Sequence, residues 1–301
     1  MALDLRGVFP PLTTPFAADG SVSLAGLRHN ISRYNSSGVA GFVALGSTGE
    51  SVLLSRDEAD SVLACVKEAA GPGKITIAGT GAESTAETIA RTRRAAELGY
   101  AAALVMTPYY YKPQYKSAVL VEHFRRVADA SPIPVLLYSV PQFTGISLEA
   151  AEVAALAQHP NIIGIKDSSG NVQRVSEMIA AAPDSFQVLT GSASTVHPSL
   201  VAGARGTILA LACVLPELCV ELFTAAQGGQ QDRARKLQRV LLPASTSIVA
   251  AYGPPGVKCA MDIRGFRGGP PRLPLQPLAE TARRQVEQIL AAVTGAVAAA
   301  V

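Results

Sequence analysis

Short apolar runs alternate with longer amphipathic stretches along most of the chain. The runs read GVFPPLTT, GFVALG, KITIAGTG, AALVMTP, PVLLYSV, IIGIKDS, FQVLTGS and GTILALA. Apolar runs this short, bounded by turn residues, predict buried strands. Between them lie stretches such as SLAGLRHNISRYN, SRDEADSVLACVKEAA, STAETIARTRRAAELG and SLEAAEVAALAQ, which predict helices. Ser23, Ser55, Ser84 and Ser147 stand at the starts of such stretches and are expected as N-caps. SRDE at 55–58 predicts a capping box, because Glu58 follows Ser55 by three residues.

Alternation of strand and helix implies a parallel sheet. Eight repeats fit a closed (β/α)8 TIM barrel, an α/β fold, better than an open doubly wound sheet. The one glycine loop resembling a dinucleotide site, GTGAES at 79–84, lacks the third glycine, so a Rossmann reading loses its main support. Further helices are expected over 216–227, about 230–250, about 255–264 and 277–295, with joints at YGPPG (252–256) and RGGPPRLP (267–274). The pattern predicts a catalytic barrel over 1–227 and a C-terminal helical extension over 228–301, packed together as one structural unit.

One run breaks its own pattern. NIIGIKDSSGN (161–171) reads as a buried strand, yet it ends on Lys166. A strict pleat puts Ile162, Gly164 and Lys166 on one face and Ile163, Ile165 and Asp167 on the other. If the first set points inward, Lys166 stands at the barrel mouth, where the active sites of such barrels lie. Burial disfavours the charged ammonium, and a neutral amine is a nucleophile for a carbonyl. The bland alternative is a lysine that reaches solvent or pairs with Asp167.

Neighbouring strand ends favour chemistry. LLYSVP places Tyr138 where the preceding strand ends, so a phenol and an amine would share one mouth and could relay a proton. GSTGE (46–50) offers Ser47, Thr48 and free N–H groups as a carboxylate cradle, with Glu50 expected to hold the loop or the next helix. TPYYYKP (107–113) is an aromatic cluster expected either to pack, on this chain or on another subunit, or to complete the relay. Lys67, Lys74, Lys112, Lys116, Lys236 and Lys258 are expected to be solvated or structural.

Composition changes little. The chain has 301 residues, 49% of them hydrophobic, and a net charge of +3, which does not call for nucleic acid. The basic run Arg233, Arg235, Lys236 and Arg239 is expected to be a solvated helix face. Cys65, Cys213, Cys219 and Cys259 form no CxxC pair, and the histidines show no metal-ligand spacing, so neither disulfides nor a metal are expected. No secretion signal is visible, and ILAAVTGAVAAAV (289–301) is too short to span a bilayer. A cytoplasmic protein without a membrane partner is expected.

With GSTGE, TPYYYKP, YSVPQFTG and GIKDS in order from about Gly7 to about Pro274, the chain resembles the pyruvate-dependent class I aldolases typified by dihydrodipicolinate synthase and N-acetylneuraminate lyase. The resemblance implies that Lys166 forms a Schiff base with pyruvate and that Tyr138 carries protons. It implies that Ser47 and Thr48 bind the keto-acid carboxylate, and that Tyr110 reaches into a neighbouring subunit's site. A homotetramer, built as a dimer of dimers, is the usual assembly. No cofactor is expected, because the imine itself supplies the electron withdrawal.

The stretch YSVPQFTG (138–145) bears on the aldehyde partner. Dihydrodipicolinate synthases resemble YNVPxRTG, whose arginine holds the second carboxylate of the aldehyde. Here Phe143 takes that position and Ser139 replaces the asparagine. A phenyl ring cannot make a bidentate bond to a carboxylate. With KDSxG and QVLTGSA (187–193), the pattern looks most like 4-hydroxy-2-oxoglutarate aldolase, which would release pyruvate and glyoxylate. Ser168, Gly191 and Ser192 are then candidates to hold the distal carboxylate. Two other readings stay open: condensation of pyruvate with aspartate semialdehyde, and a silent barrel that only binds keto acids.

Overall fold

A computed structural model describes residues 3–298. Strands β1 (Gly7–Phe9), β2 (Gly41–Ala44), β3 (Ile75–Gly79), β4 (Ala102–Met106), β5 (Val135–Ser139), β6 (Ile162–Asp167), β7 (Gln187–Thr190) and β8 (Gly206–Ile208) fall in the eight apolar runs. Every pairing is parallel, in the order β1-β8-β7-β6-β5-β4-β3-β2. A parallel bridge between Pro11 and Val43, with the Ala40 N–H on the Val8 carbonyl at 2.9 Å, joins the two ends. The molecule is the expected (β/α)8 barrel.

The intervening helices are α1 (Leu24–Asn35), α2 (Arg56–Ala69), α3 (Thr85–Glu97), α4 (Ser117–Ala130), α5 (Pro141–Thr144), α6 (Ala150–Leu156), α7 (Val172–Ala181) and α8 (Val196–Val201). Ser23, Ser55 and Ser84 accept the N–H groups expected of N-caps, and Ser55 with Glu58 closes the capping box. Ser147 does not cap. Helix α6 starts three residues later, at a box made by Glu149 and Glu152, because the carboxylates supply both reciprocal bonds that a lone serine cannot.

Beyond β8 come α9 (Pro216–Gln227), α10 (Gln231–Ala244), a π-helical turn over Ser245–Ala250, α11 (Ala251–Ile263) and α12 (Glu280–Ala298). YGPPG is a true joint: Gly253, at φ 58°, breaks the helical path ahead of Pro254 and Pro255. Residues 299–301 of the C-terminal apolar segment lie outside the described residues. Among the described residues no helix is long and apolar enough to cross a membrane. Cys65, Cys213 and Cys219 are buried free thiols, and Cys259 is half-buried and free.

Side chains sort into two layers. Phe9, Val43, Leu104, Leu136, Leu189 and Ile208 fill the barrel interior. Val105, Val135, Leu137, Ile162 and Ile165 pack outward against the helices. In β6 the strict pleat fails: Val135 pairs with Ile162, but Leu136 pairs with Gly164, so Ile163 is an extra residue in a bulge. Ile162 therefore faces the helices, contrary to the alternation read from the sequence. Past the bulge the alternation resumes, with Ile165 outward and Lys166 opposite the inward Tyr138.

Candidate active site

Register places the chemistry. Met106, Tyr138, Lys166 and Leu189 are successive Cα partners across β4, β5, β6 and β7, one layer at the C-terminal mouth. Tyr138 and Lys166 are each only 4% exposed. The Lys166 Nζ stands 4.1 Å from the centroid of the Tyr138 ring, a contact that offsets part of the cost of burying the amine. The Tyr138 hydroxyl lies 3.3 Å from the Ser47 Oγ, close enough to share a proton. Asp167 does not pair with the lysine. It faces the other way and accepts from the Ser169 N–H and hydroxyl, while burial holds its carboxyl above the usual range.

Ser47 and Thr48 share a single 3₁₀ turn, Ser47–Gly49. The turn is bracketed by Leu45 (φ 57°) and Glu50 (φ 54°), the two non-glycine residues with positive φ among those described. Each such residue costs on the order of 1 kcal/mol or more, so surrounding groups must hold it. At Leu45 the neighbour is Gly79, where any Cβ would come 2.1 Å from the Leu45 carbonyl oxygen. At Glu50 the side chain is fully buried and ion-paired with Lys258 of α11, and it also accepts the Arg272 N–H at 2.8 Å. Burial pulls the Lys258 ammonium below the usual lysine range, against the opposing pull of Glu50.

On the other flank, Gly191 makes room for the amine. A Cβ there would lie 2.0 Å from the Ser168 Oγ and 3.0 Å from the Lys166 Cε. Ser168 and Gly191 thus meet beside Lys166. Ser192 sits one step further off, its Oγ 3.3 Å from where a Cβ on Gly170 would stand. A cleft of about 270 Å³ opens above Ser47, walled by Glu50, Met106, Tyr109, Phe143 and Pro274. Phe143 projects into it from α5 and is 59% exposed. The Gln142 amide ties α5 to β6 through the Ser168 carbonyl at 2.6 Å.

Tyr110 stands apart from the Lys166–Tyr138–Ser47 group. Its ring is 72% exposed and packs edge-on against Tyr111 at 5.0 Å. The backbone of its loop is anchored instead: the Glu83 carboxylate accepts the Tyr109 and Tyr110 N–H groups at 3.2 and 2.9 Å. Sequence reading passed over Glu83, which lies inside the GTGAES loop, and Arg272, which lies inside a supposed joint. Arg272 grips Glu58 through two bonds of 2.7 and 2.6 Å, holding the Glu58 carboxyl down at about 2.

A buried amine against a phenol, at the mouth of a closed barrel, is an arrangement chemically suited to condensing with a carbonyl. The sequence profile of the dihydrodipicolinate synthetase family matches residues 4–293. The chain is 40% identical over 280 residues to a 4-hydroxy-tetrahydrodipicolinate synthase of Exiguobacterium, covering 93% of this chain and 95% of that one. It is 39% identical over 286 residues to the synthase of that name from Methanothrix thermoacetophila, covering 95% and 96%. Its fold superposes with a TM-score of 0.91 on a chloride-inhibited dihydrodipicolinate synthase of Acinetobacter baumannii solved with pyruvate, at 32% identity over 96% of this chain and 99% of that one. The chain belongs to the dihydrodipicolinate synthetase family of pyruvate-dependent carbon–carbon lyases and synthases.

Proposed function

We propose that this protein is a 4-hydroxy-tetrahydrodipicolinate synthase that joins pyruvate to aspartate semialdehyde through a Schiff base on Lys166. The observation that carries the reading is the buried Lys166 amine facing the Tyr138 phenol across one strand pair. The names of the relatives favour this aldehyde over the glyoxylate suggested by the sequence motifs.

The amine adds to the ketone carbon of pyruvate, and the carbinolamine loses water to give a protonated imine. Loss of a C3 proton yields an enamine, whose C3 attacks the aldehyde carbon while the aldehyde oxygen takes up a proton. Tyr138 and Ser47, 3.3 Å apart, form the path for these protons. Ring closure by the semialdehyde's own amino group on the imine carbon frees Lys166. Ser47 and Thr48 hold the pyruvate carboxylate. Ser168, Gly191 and Ser192 border the distal part of the substrate, and Tyr110 completes a neighbouring subunit's site in a homotetramer, a dimer of dimers. The barrel and its extension act as one unit in the cytoplasm, with no cofactor, metal, nucleic acid or membrane as partner.

A second reading, cleavage of 4-hydroxy-2-oxoglutarate to pyruvate and glyoxylate, is favoured by Phe143. That apolar ring stands in the cleft at the position where YNVPxRTG synthases carry the arginine for the semialdehyde carboxylate, while Ser168 and Ser192 stay available to the carboxylate of glyoxylate. An aldehyde panel with pyruvate separates the readings. Consumption of aspartate semialdehyde with formation of the cyclic product is expected. Turnover of glyoxylate alone favours the second reading, and binding of pyruvate without turnover of any aldehyde indicates a silent binder.

A further inference from the structure

The C-terminal extension does more than cover one side of the barrel. Lys258 reaches from α11 to Glu50, and both side chains are buried, at 1% and 0% exposure. This is the one ion pair with both partners buried among the described residues. The Lys258 amine also donates to the Pro270 carbonyl at 3.0 Å and lies 4.3 Å from the Phe16 ring centroid. Arg272 stacks on the same ring at 4.3 Å and binds the Leu53 and Gly20 carbonyls at 2.9 and 2.6 Å. All these contacts converge beneath the strained turn that carries Ser47 and Thr48.

A left-handed non-glycine residue persists only where its surroundings hold it. At Glu50 the tether is the ion pair. Its neighbours are fixed as well: the Gly49 carbonyl accepts the Thr14 hydroxyl at 2.7 Å, and the Glu50 N–H returns to the Ser47 carbonyl at 3.1 Å. We propose that Lys258 is a positioning residue for 2-oxo-acid binding, holding the Glu50 turn so that Ser47 and Thr48 face the carboxylate. The inference rests on the reading of those two hydroxyls as the carboxylate cradle. Lys258 touches no reacting atom; it acts through Glu50.

Borohydride trapping of pyruvate on Lys166 tests this without any aldehyde. The pyruvate concentration for half-maximal trapping is measured in the wild type, Thr48→Val, Lys258→Met and Val286→Ala. Val286 is buried in α12, so its truncation supplies a destabilised control remote from the cradle. Thr48→Val and Lys258→Met are both expected to raise half-saturation about tenfold or more, since small misplacements of positioning groups have effects of that size or larger. Trapping at saturating pyruvate should stay within about threefold, and Val286→Ala should leave half-saturation unchanged. A purely structural lysine would lower thermal stability in Lys258→Met and leave half-saturation at the wild-type value, which overturns the proposal. If Thr48→Val moves half-saturation and Lys258→Met does not, the cradle stands and only the role of Lys258 falls. A wild type that traps no pyruvate at Lys166 removes the proposed function and this inference together. Should Lys258→Met fail to fold, Glu50→Gln/Lys258→Met leaves neither charge unpaired and is judged by the same criterion.

Discussion

Two lysine amines are buried among the described residues, and both lie over an aromatic ring, Lys166 over Tyr138 at 4.1 Å and Lys258 over Phe16 at 4.3 Å. They differ in what completes the shell. Lys258 has a buried carboxylate and a backbone carbonyl. Lys166 has a phenol that itself touches a serine, and a glycine in place of any side chain at 191. The Glu50 carboxylate favours the ammonium form of Lys258, whereas Lys166 faces a phenol. Burial alone does not distinguish the two lysines; their partners do.

The contrast is broken most severely at Lys166. Lys166→Ala should lower turnover by on the order of 10⁴-fold or more while circular dichroism and thermal midpoint stay near wild type. Peptide mass mapping after borohydride and pyruvate should place the added mass on Lys166 and never on Lys258. Next in size is the structural amine. Glu50→Gln leaves an unpaired buried ammonium and should cost about 3–5 kcal/mol in urea unfolding, with much of the loss recovered in Glu50→Gln/Lys258→Met.

Tyr138→Phe sharpens the comparison, because it keeps the ring under Lys166 and removes only the hydroxyl. Turnover should fall by about 10²-fold, while pyruvate trapping on Lys166 persists. The smallest effect is expected at Arg272. The Glu58 carboxyl is lowered from 4.5 to about 2 by this guanidinium, so the pair's stabilisation is present above pH 4.5 and lost as pH falls through about 2. Arg272→Met should therefore be less stable than wild type by about 1 kcal/mol at neutral pH, the deficit closing as the solution is acidified toward pH 2.

What could be read from the chain followed local rules. Strands, most helix starts and the Ser55 capping box depend on residues a few positions apart, and all were legible. The meeting of Lys166, Tyr138 and Ser47 was legible for a related reason: two stand near the ends of their strands and Ser47 lies in the turn just after its strand, and a closed parallel barrel brings strand ends together. The bulge at Ile163 was not, because only its partner strand reveals that two residues face one. Nor was the Glu50–Lys258 pair, since nothing in the YGPPG joint or in the helix after it says which loop lies beneath. Glu50 holds its loop, one of the two roles the sequence suggests, and its anchor lies far along the chain. Tyr110 is exposed on the single chain, and its proposed place in a neighbouring subunit's site rests on the resemblance alone.

The extra residue at Ile163 has a further implication for how such a wall evolves. It acts as a parity switch: the foot of β6 fits the helical layer, the top fits the lumen, and the two requirements are reconciled within one strand. Were the pleat regular from Ile162 upward, the same letters would send the amine sideways into hydrocarbon and leave the mouth empty. Straightening the strand while keeping all its residues would therefore silence the chemistry in a protein whose barrel still closes.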